Sequence, residues 1–319
     1  VGSGGITTLT NGNFVVQSPI WDNGIIVDAG AVTWGDGNRG IKGTVSAANS
    51  LVGTTANQFT GGAYVTALAN GNYLVATPSW DNGNTVDVGA LTWANGTTGI
   101  MGNISAANSL IGTKTNDLKS PSSKILSNGN IVFALKEFDN GAVVDAGALV
   151  WMNSSQPTTG VIGISNSLVG GTTGDFASTS INALPNGNYV TLFSRWDNGG
   201  IADAGAVTWG NGATGTFGLI SATNSLVGTS DKIAASIFYQ LKGSSNYVLA
   251  NRTASVGGDT NFGSVTWANG DAPITGTVSI ANSLLGSASG DKVGDAITLL
   301  DNGNYLDRSP NWDNTKGAV

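Results

Sequence analysis

The sequence predicts an all-β fold: a β-propeller of four-stranded antiparallel blades, five complete units and a partial sixth, with six blades at closure. Three observations predict it. First, the phrase NGNFVVQSPIWDNGIIVDAGAVTW, Asn11 to Trp34, returns with edits from Asn70, Asn128 and Asn186. A degenerate copy spans Asn246 to Trp267, and a truncated one starts at Asn302. Second, Trp34, Trp93, Trp151, Trp209 and Trp267 are separated by 59, 58, 58 and 58 residues, and Leu51, Leu110, Leu168, Leu226 and Leu284 keep the same intervals. That regularity leaves no room for an inserted domain or linker, so residues 1–319 form one array. Its units are approximately 1–59, 60–118, 119–176, 177–234, 235–292 and the partial 293–319. Third, Asn-Gly turns divide short β-type runs, and no amphipathic helix is apparent.

Within a unit the elements follow in order. Asn11-Gly12 between ITTLT and NFVVQS is a strong hairpin signal, because both residues tolerate positive φ. A two-residue turn there sets Leu9 towards Phe14, Leu68 towards Tyr73 and Leu184 towards Tyr189. The next strand, AGAVTW, alternates, with Val32 and Trp34 on one face and Ala31 and Thr33 on the other. A Gly-rich turn from Gly35 to Gly43 leads to GTVSAANSLVG and the fourth strand. The rival architecture is a parallel β-solenoid with three coils per unit. Sharp Asn-Gly reversals count against it, since parallel strands need longer crossovers. The sixth unit stops at Val319 inside its third strand, and Asp313 to Gly317 is about four residues shorter than Asp22 to Gly30. A start at Val1 without Met reads as a processed mature protein or an excised fragment.

Composition narrows the function classes. Net charge is −7 and charged residues are 10% of the chain, which opposes nucleic acid and anionic membrane surfaces as partners. There is no Cys for disulfides or thiolate metal sites, and no run of about 18 apolar residues to span a membrane. Gly, Asn, Thr and Ser with few charges suit a secreted bacterial surface protein. General acid–base chemistry needs a group titrating near neutrality or an unlike pair of carboxylates. The chain has no His, and its lone glutamate, Glu137, occurs in one unit only. A non-enzymatic protein is therefore expected.

The recurring WDNG…D connection holds the candidate site. Asp22 and Asp28, Asp81 and Asp87, Asp139 and Asp145, and Asp197 and Asp203 are carboxylate pairs that could contribute oxygens to calcium. Equally, Asp and Asn in such loops form Asx-turns that hold their own backbone. The fifth unit has Ser255 and Asn261 at these positions, so a metal there would be lost. Otherwise no cofactor is indicated. Trp21, Trp80, Trp196 and Trp312, replaced by Phe138 and Ala254 in the other units, are aromatics beside Asp22, Asn23, Asp81, Asn82, Asp197, Asn198 and Asp313. An apolar ring face beside hydrogen-bonding groups suits a carbohydrate, and repetition would make binding multivalent. The alternative is packing between units, which is also the expected role of Trp34 and its equivalents.

The phrase from Asn70 to Trp93 resembles an FG-GAP repeat of the integrin α propeller, matched at Ser18-Pro19, Asp22 and Ala29-Gly30-Ala31-Val32 in the first unit. That family's calcium loop would fall near Thr8 to Asn13, where TLTNGN carries no Asp, so its calcium sites do not transfer. The whole unit, SAANSLVG included, resembles tandem repeats of large secreted bacterial proteins of the filamentous-haemagglutinin type. The resemblance implies an extracellular adhesin-like module whose partner is a glycan or another cell-surface component. The other expectation is a structural protein that assembles with itself through open strand edges.

Overall fold

The computed structural model describes residues 1–59, 64–230, 236–255 and 260–319, and its six sheets follow the six units. In the first unit, β1 (Ile6–Thr8), β2 (Phe14–Ser18), β3 (Ala31–Gly35) and β4 (Ser50–Val52) pair antiparallel in chain order. The second unit repeats this with β5 (Tyr64–Ala67), β6 (Tyr73–Thr77), β7 (Ala90–Ala94) and, after the short β8 (Gly102–Asn103), β9 (Leu110–Ile111). The all-β repeat class is as expected, and each unit is an antiparallel sheet rather than a set of parallel coils. Among the described residues, no hydrogen bond or ion pair joins the first unit to the fifth or sixth.

The Asn-Gly reversal differs by one residue from the two-residue turn predicted. Gly12 N–H donates to Leu9 C=O, and Leu9 N–H donates to Asn13 C=O, so the loop is Thr10-Asn11-Gly12. Thr8, not Leu9, faces Phe14; likewise Ala67 faces Tyr73 and Ala183 faces Tyr189. The physical reason is Gly12, whose φ of 87° supplies the left-handed residue of a three-residue hairpin loop. The one-residue shift turns Leu9 to the face of Val15 and Val32, with which it enters one apolar layer.

A strand the sequence did not announce links the units. β8 leaves its own sheet and pairs parallel with β4, Leu51 opposite Gly102 and Val52 opposite Asn103. The same exchange recurs as Gly160–Val161 on β9, Gly218–Leu219 on Ser167–Val169 and Gly276–Thr277 on Leu226–Val227. Each exchange gives the fourth strand of one unit an edge partner from the next.

The sheets also stack. Leu9, Val15, Val32, Leu51 and Phe59 of the first unit pack on Tyr73, Val75, Val88, Ile104 and Ile111 of the second. Four further layers of this kind occupy the remaining junctions between units. Interior sheets are therefore buried on both faces, and YLVAT (β6) and IVFAL (Ile131–Leu135) are buried at every position. Full burial of each Leu or Val contributes about 1.5–3 kcal/mol, whereas an exposed ion pair contributes about 0–1 kcal/mol. The described ion pairs, Lys242–Asp301, Arg252–Asp295 and Lys316–Asp313, all have a well-exposed cation and lie in the last two units. The apolar layers, not charge, hold the array together. The single helix among the described residues, α1 (Trp312–Thr315), is one turn, formed where the sixth WDN sequence lacks the rest of the loop.

Candidate functional site

The WDNG connection bridges the second and third strands of each unit, and its own hydrogen bonds shape it. In the first unit Asn23 and Ile26 exchange both backbone bonds, and Gly30 N–H donates to Trp21 C=O at 2.9 Å. Asp28 sits at φ 52°, and its N–H donates to Asp22 Oδ1 at 2.8 Å. Identical 2.8 Å bonds run from Asp87 to Asp81, Asp145 to Asp139 and Asp203 to Asp197. Asp87, Asp145 and Asp203 also have φ near 50°. One oxygen of the first carboxylate thus holds a left-handed turn in every complete copy of the loop, which is Asx-turn chemistry. Asn23, Asn140 and Asn198 donate through Nδ2 to the carbonyls of Gly53, Gly170 and Gly228, pinning the loop to the end of the fourth strand. The second carboxylate oxygen of Asp81 accepts from Thr55 Oγ1 of the preceding unit at 2.6 Å. Asn82 is exposed. Among the described residues, no group of three or more His, Cys, Asp or Glu side chains gathers around a point that would suit a metal.

The aromatics beside these loops are mostly interior. Trp80 is 4% exposed, Trp196 5% and Phe138 3%, each within a layer between sheets. A sugar ring cannot stack on such faces without parting two sheets. Trp21 is half-buried, and Trp312 is 37% exposed on α1.

A second buried group fixes the connection from below. Asp117 Oδ2 accepts from the N–H groups of Thr113 and Lys114, and Asp117 Oδ1 accepts from Asp139 N–H in the next unit. Asp175 repeats this with Gly171, Thr172 and Asp197, and Asp291 with Ser287, Ala288 and Asp313. In the first unit Gln58 performs the task as an amide, accepting from Thr54 N–H and donating to Asp81 C=O. Burial pushes the Asp117 carboxyl above the usual range, partly offset by its hydrogen bonds. At Asp291 burial also pushes upward, but the bonds from Ser287, Ala288 and Asp313 prevail and the carboxyl lies below 3.8. Sequence reasoning missed this position because its residue type changes; the signal was its fixed place before Phe59, Leu118 and Phe176.

The densest polar cluster lies at the Asn-Gly hairpins. Gly96 C=O, in the second unit, accepts from three side chains of the first: Asn11 Nδ2 at 2.8 Å, Asn13 Nδ2 at 2.8 Å and Trp34 Nε1 at 2.9 Å. The carbonyls of Ser154, Gly212 and Gly270 each receive the equivalent trio. The N–H of each of these residues donates to the second Asn of its own hairpin, Asn72, Asn130, Asn188 or Asn246. Amides therefore alternate with backbone groups in one chain: Gly37 to Asn13, Asn13 to Gly96, Gly96 to Asn72, and onward to Asn246. Of the tryptophans expected in the core, Trp34, Trp93 and Trp151 stand partly buried at the edge of the layers and Trp209 lies within one, and these four serve as donors to the next unit.

Chemically, these groups bind protein. The first Asp of each complete WDNG loop, the hairpin asparagines and the third-strand tryptophans of the first four units spend hydrogen bonds on their own loop or on a neighbouring unit. A family profile described as a repeat of unknown function (DUF5650) matches residues 8–62, 67–120, 125–179, 183–235, 242–295 and 299–319. No curated protein sequence matches the chain.

Proposed function

We propose that this chain, which belongs to the DUF5650 family of tandem repeats, is a non-catalytic structural array of a secreted bacterial surface protein. The observation that carries the reading is the amide chain from Gly37 to Asn246, joined at each junction to the Trp donor. A repeated side chain kept for a soluble ligand would be free to meet it, and these side chains are engaged with the array itself. The sheets follow one another as propeller-type blades with their first strands innermost. Support for that arrangement comes from face-to-face stacking and from first hairpins that adjoin, Thr10 Oγ1 donating to Leu68 C=O and Ser127 Oγ to Leu184 C=O. The likeness to adhesin repeats supports an extracellular setting, in which such an array displays or spaces other segments.

The test is a glycan-binding screen with and without a chelator, paired with melting curves under both conditions. The structural reading expects no captured glycan and a melting temperature that the chelator leaves unchanged. Capture of a sugar that is lost in the Trp21→Ala and Trp312→Ala variants would overturn it in favour of multivalent glycan binding. A chelator-sensitive melt would instead assign calcium to the paired aspartates Asp22, Asp28, Asp81, Asp87, Asp139, Asp145, Asp197 and Asp203.

A further inference from the structure

Twelve Asn-Gly bonds occur in the chain, and each carries the same latent reaction. The glycine nitrogen can close on the asparagine side-chain carbonyl, and a glycine has no Cβ to hinder that approach. Closure needs a glycine N–H that is not spent on a hydrogen bond and an asparagine amide free to rotate. Most of the twelve lack one or both. Gly12, Gly71, Gly129, Gly187 and Gly303 donate their N–H to the leucine carbonyl three residues back. Gly96, Gly212 and Gly270 donate theirs to the hairpin asparagines Asn72, Asn188 and Asn246. The glycines left are those of the WDNG-type loops, Gly24, Gly83, Gly141 and Gly199, whose N–H groups meet no acceptor among the described residues. In three of these loops the asparagine is held instead, since Asn23, Asn140 and Asn198 donate through Nδ2 to Gly53, Gly170 and Gly228. Asn82 is the exception. It is exposed, and its amide meets no partner among the described residues. A Cβ placed on Gly83 would meet nothing within 4 Å, as at its three counterparts, so the turn stands open to water.

We propose that Asn82 is a self-modification site of the folded chain, the asparagine that deamidates first, through a succinimide formed with Gly83. Gly83 N bonds to Asn82 Cγ and gives up its proton. The Cγ–Nδ2 bond breaks, and Nδ2 leaves as ammonia with that proton. One water then opens the ring at either carbonyl, yielding aspartate or isoaspartate, with no oxidant or reductant involved. Both products place a new carboxylate beside Asp81 and Asp87, which are already joined by the bond from Asp87 N–H to Asp81 Oδ1. Isoaspartate also adds one carbon to the main chain inside the turn that Asn82 and Thr85 close with two backbone bonds. The turn loosens, while the apolar layer beneath it, with Trp80 and Val88, stays in place. The other pairs are protected by the same bonds that build the array, because giving up one hydrogen bond before closure slows the reaction about fivefold. The site goes beyond the structural reading above and does not depend on it.

The experiment incubates the full chain at neutral pH, well below its melting temperature, and follows every Asn-Gly peptide over time by mass spectrometry. The expected result is loss of the Asn82 amide at least about fivefold faster than that of Asn23, Asn140 or Asn198, and faster still than at the hairpins. In urea the twelve should converge, because unfolding removes the bonds that distinguish them. Asn82→Gln, at an exposed position, should abolish the fast phase without altering the melting temperature, since the longer side chain closes its ring far more slowly. Amide hydrogen exchange at Thr85 should rise as isoaspartate accumulates, and unchanged exchange there would overturn the loosening of the turn. An Asn82 rate no greater than that of the other three loop asparagines would overturn the site. So would the same preference in urea, which would assign it to local sequence rather than to the fold. Either outcome leaves the array reading standing, since that reading fails on glycan capture instead.

Discussion

The second asparagine of each Asn-Gly-Asn turn has a role that a hairpin alone does not require. Asn130 is 9% exposed, donates to Gly212 C=O at 2.8 Å and accepts from Ser154 N–H at 2.9 Å. Asn130→Ala should orphan the buried Ser154 N–H, about 1–3 kcal/mol, and remove one of three donors to Gly212 C=O, about 0.5–1.5 kcal/mol more. Asn246→Ala, with only the Gly270 bond described for its side chain, should cost the first amount without the second. Urea midpoints of the two variants check the difference. The buried carboxylates give a test of opposite signs. Asp291 has its folded-state pKa depressed, so its contribution is present above 3.8 and disappears as pH falls through the folded value. The stability gap between wild type and Asp291→Asn should therefore close on acidification. Asp117 has its folded-state pKa raised, so acidification favours the folded form, and the wild type should gain on Asp117→Asn as pH falls. Denaturant midpoints between pH 2 and 7 measure both. Asn130 was legible as a turn residue and not as a link, because its acceptor lies 82 residues away. The WDNG aspartates were legible as either turn or calcium ligands; only the Asp28-to-Asp22 bond and its repeats show the turn at work.

At the scale of single elements, the glycines of the DAG phrase show why each third strand begins where it does. A Cβ on Gly147 would lie 2.2 Å from the Phe176 ring, while one on Gly141, six residues earlier, would meet nothing within 4 Å. Both residues have positive φ, 80° and 64°. Gly141→Ala should thus cost only the backbone term, about 1–2 kcal/mol, and Gly147→Ala about 1–3 kcal/mol more from overpacking. Thermal melts of the pair separate conformation from packing. The strands themselves were readable, since Trp34 to Trp267 and Leu51 to Leu284 mark them at fixed intervals. The exchanged strand β8 was not. Two residues of parallel pairing carry no alternation, and Gly102 with Asn103 looks like the loop the sequence suggested. Double-sided burial was also hidden, because one sequence cannot say which residues of β6 face which neighbour.

For the whole molecule, each unit touches the units before and after it, and the hydrogen bonds and apolar layers repeat from junction to junction. Stability in such an array is close to a sum of unit terms and junction terms. Removing residues 119–176 would join Leu118 to Ala177 and keep every later residue at its place in the period. The second unit would then present its fourth strand, its Trp93 donor and its Asn72 amide to the fourth unit, whose Gly212 carbonyl already accepts this trio from the third. The shortened chain should fold, with unchanged β-type circular dichroism, a melting temperature lowered by only a few degrees and a smaller radius by X-ray scattering. Removing residues 119–170 instead takes away almost as much chain but breaks the period, so the donors and the carbonyl no longer meet. That variant should lose cooperative melting. If the in-period deletion unfolds as readily as the out-of-period one, closure around a ring rather than nearest-neighbour contact would be the source of stability, and the sum of unit and junction terms would be the wrong account of it.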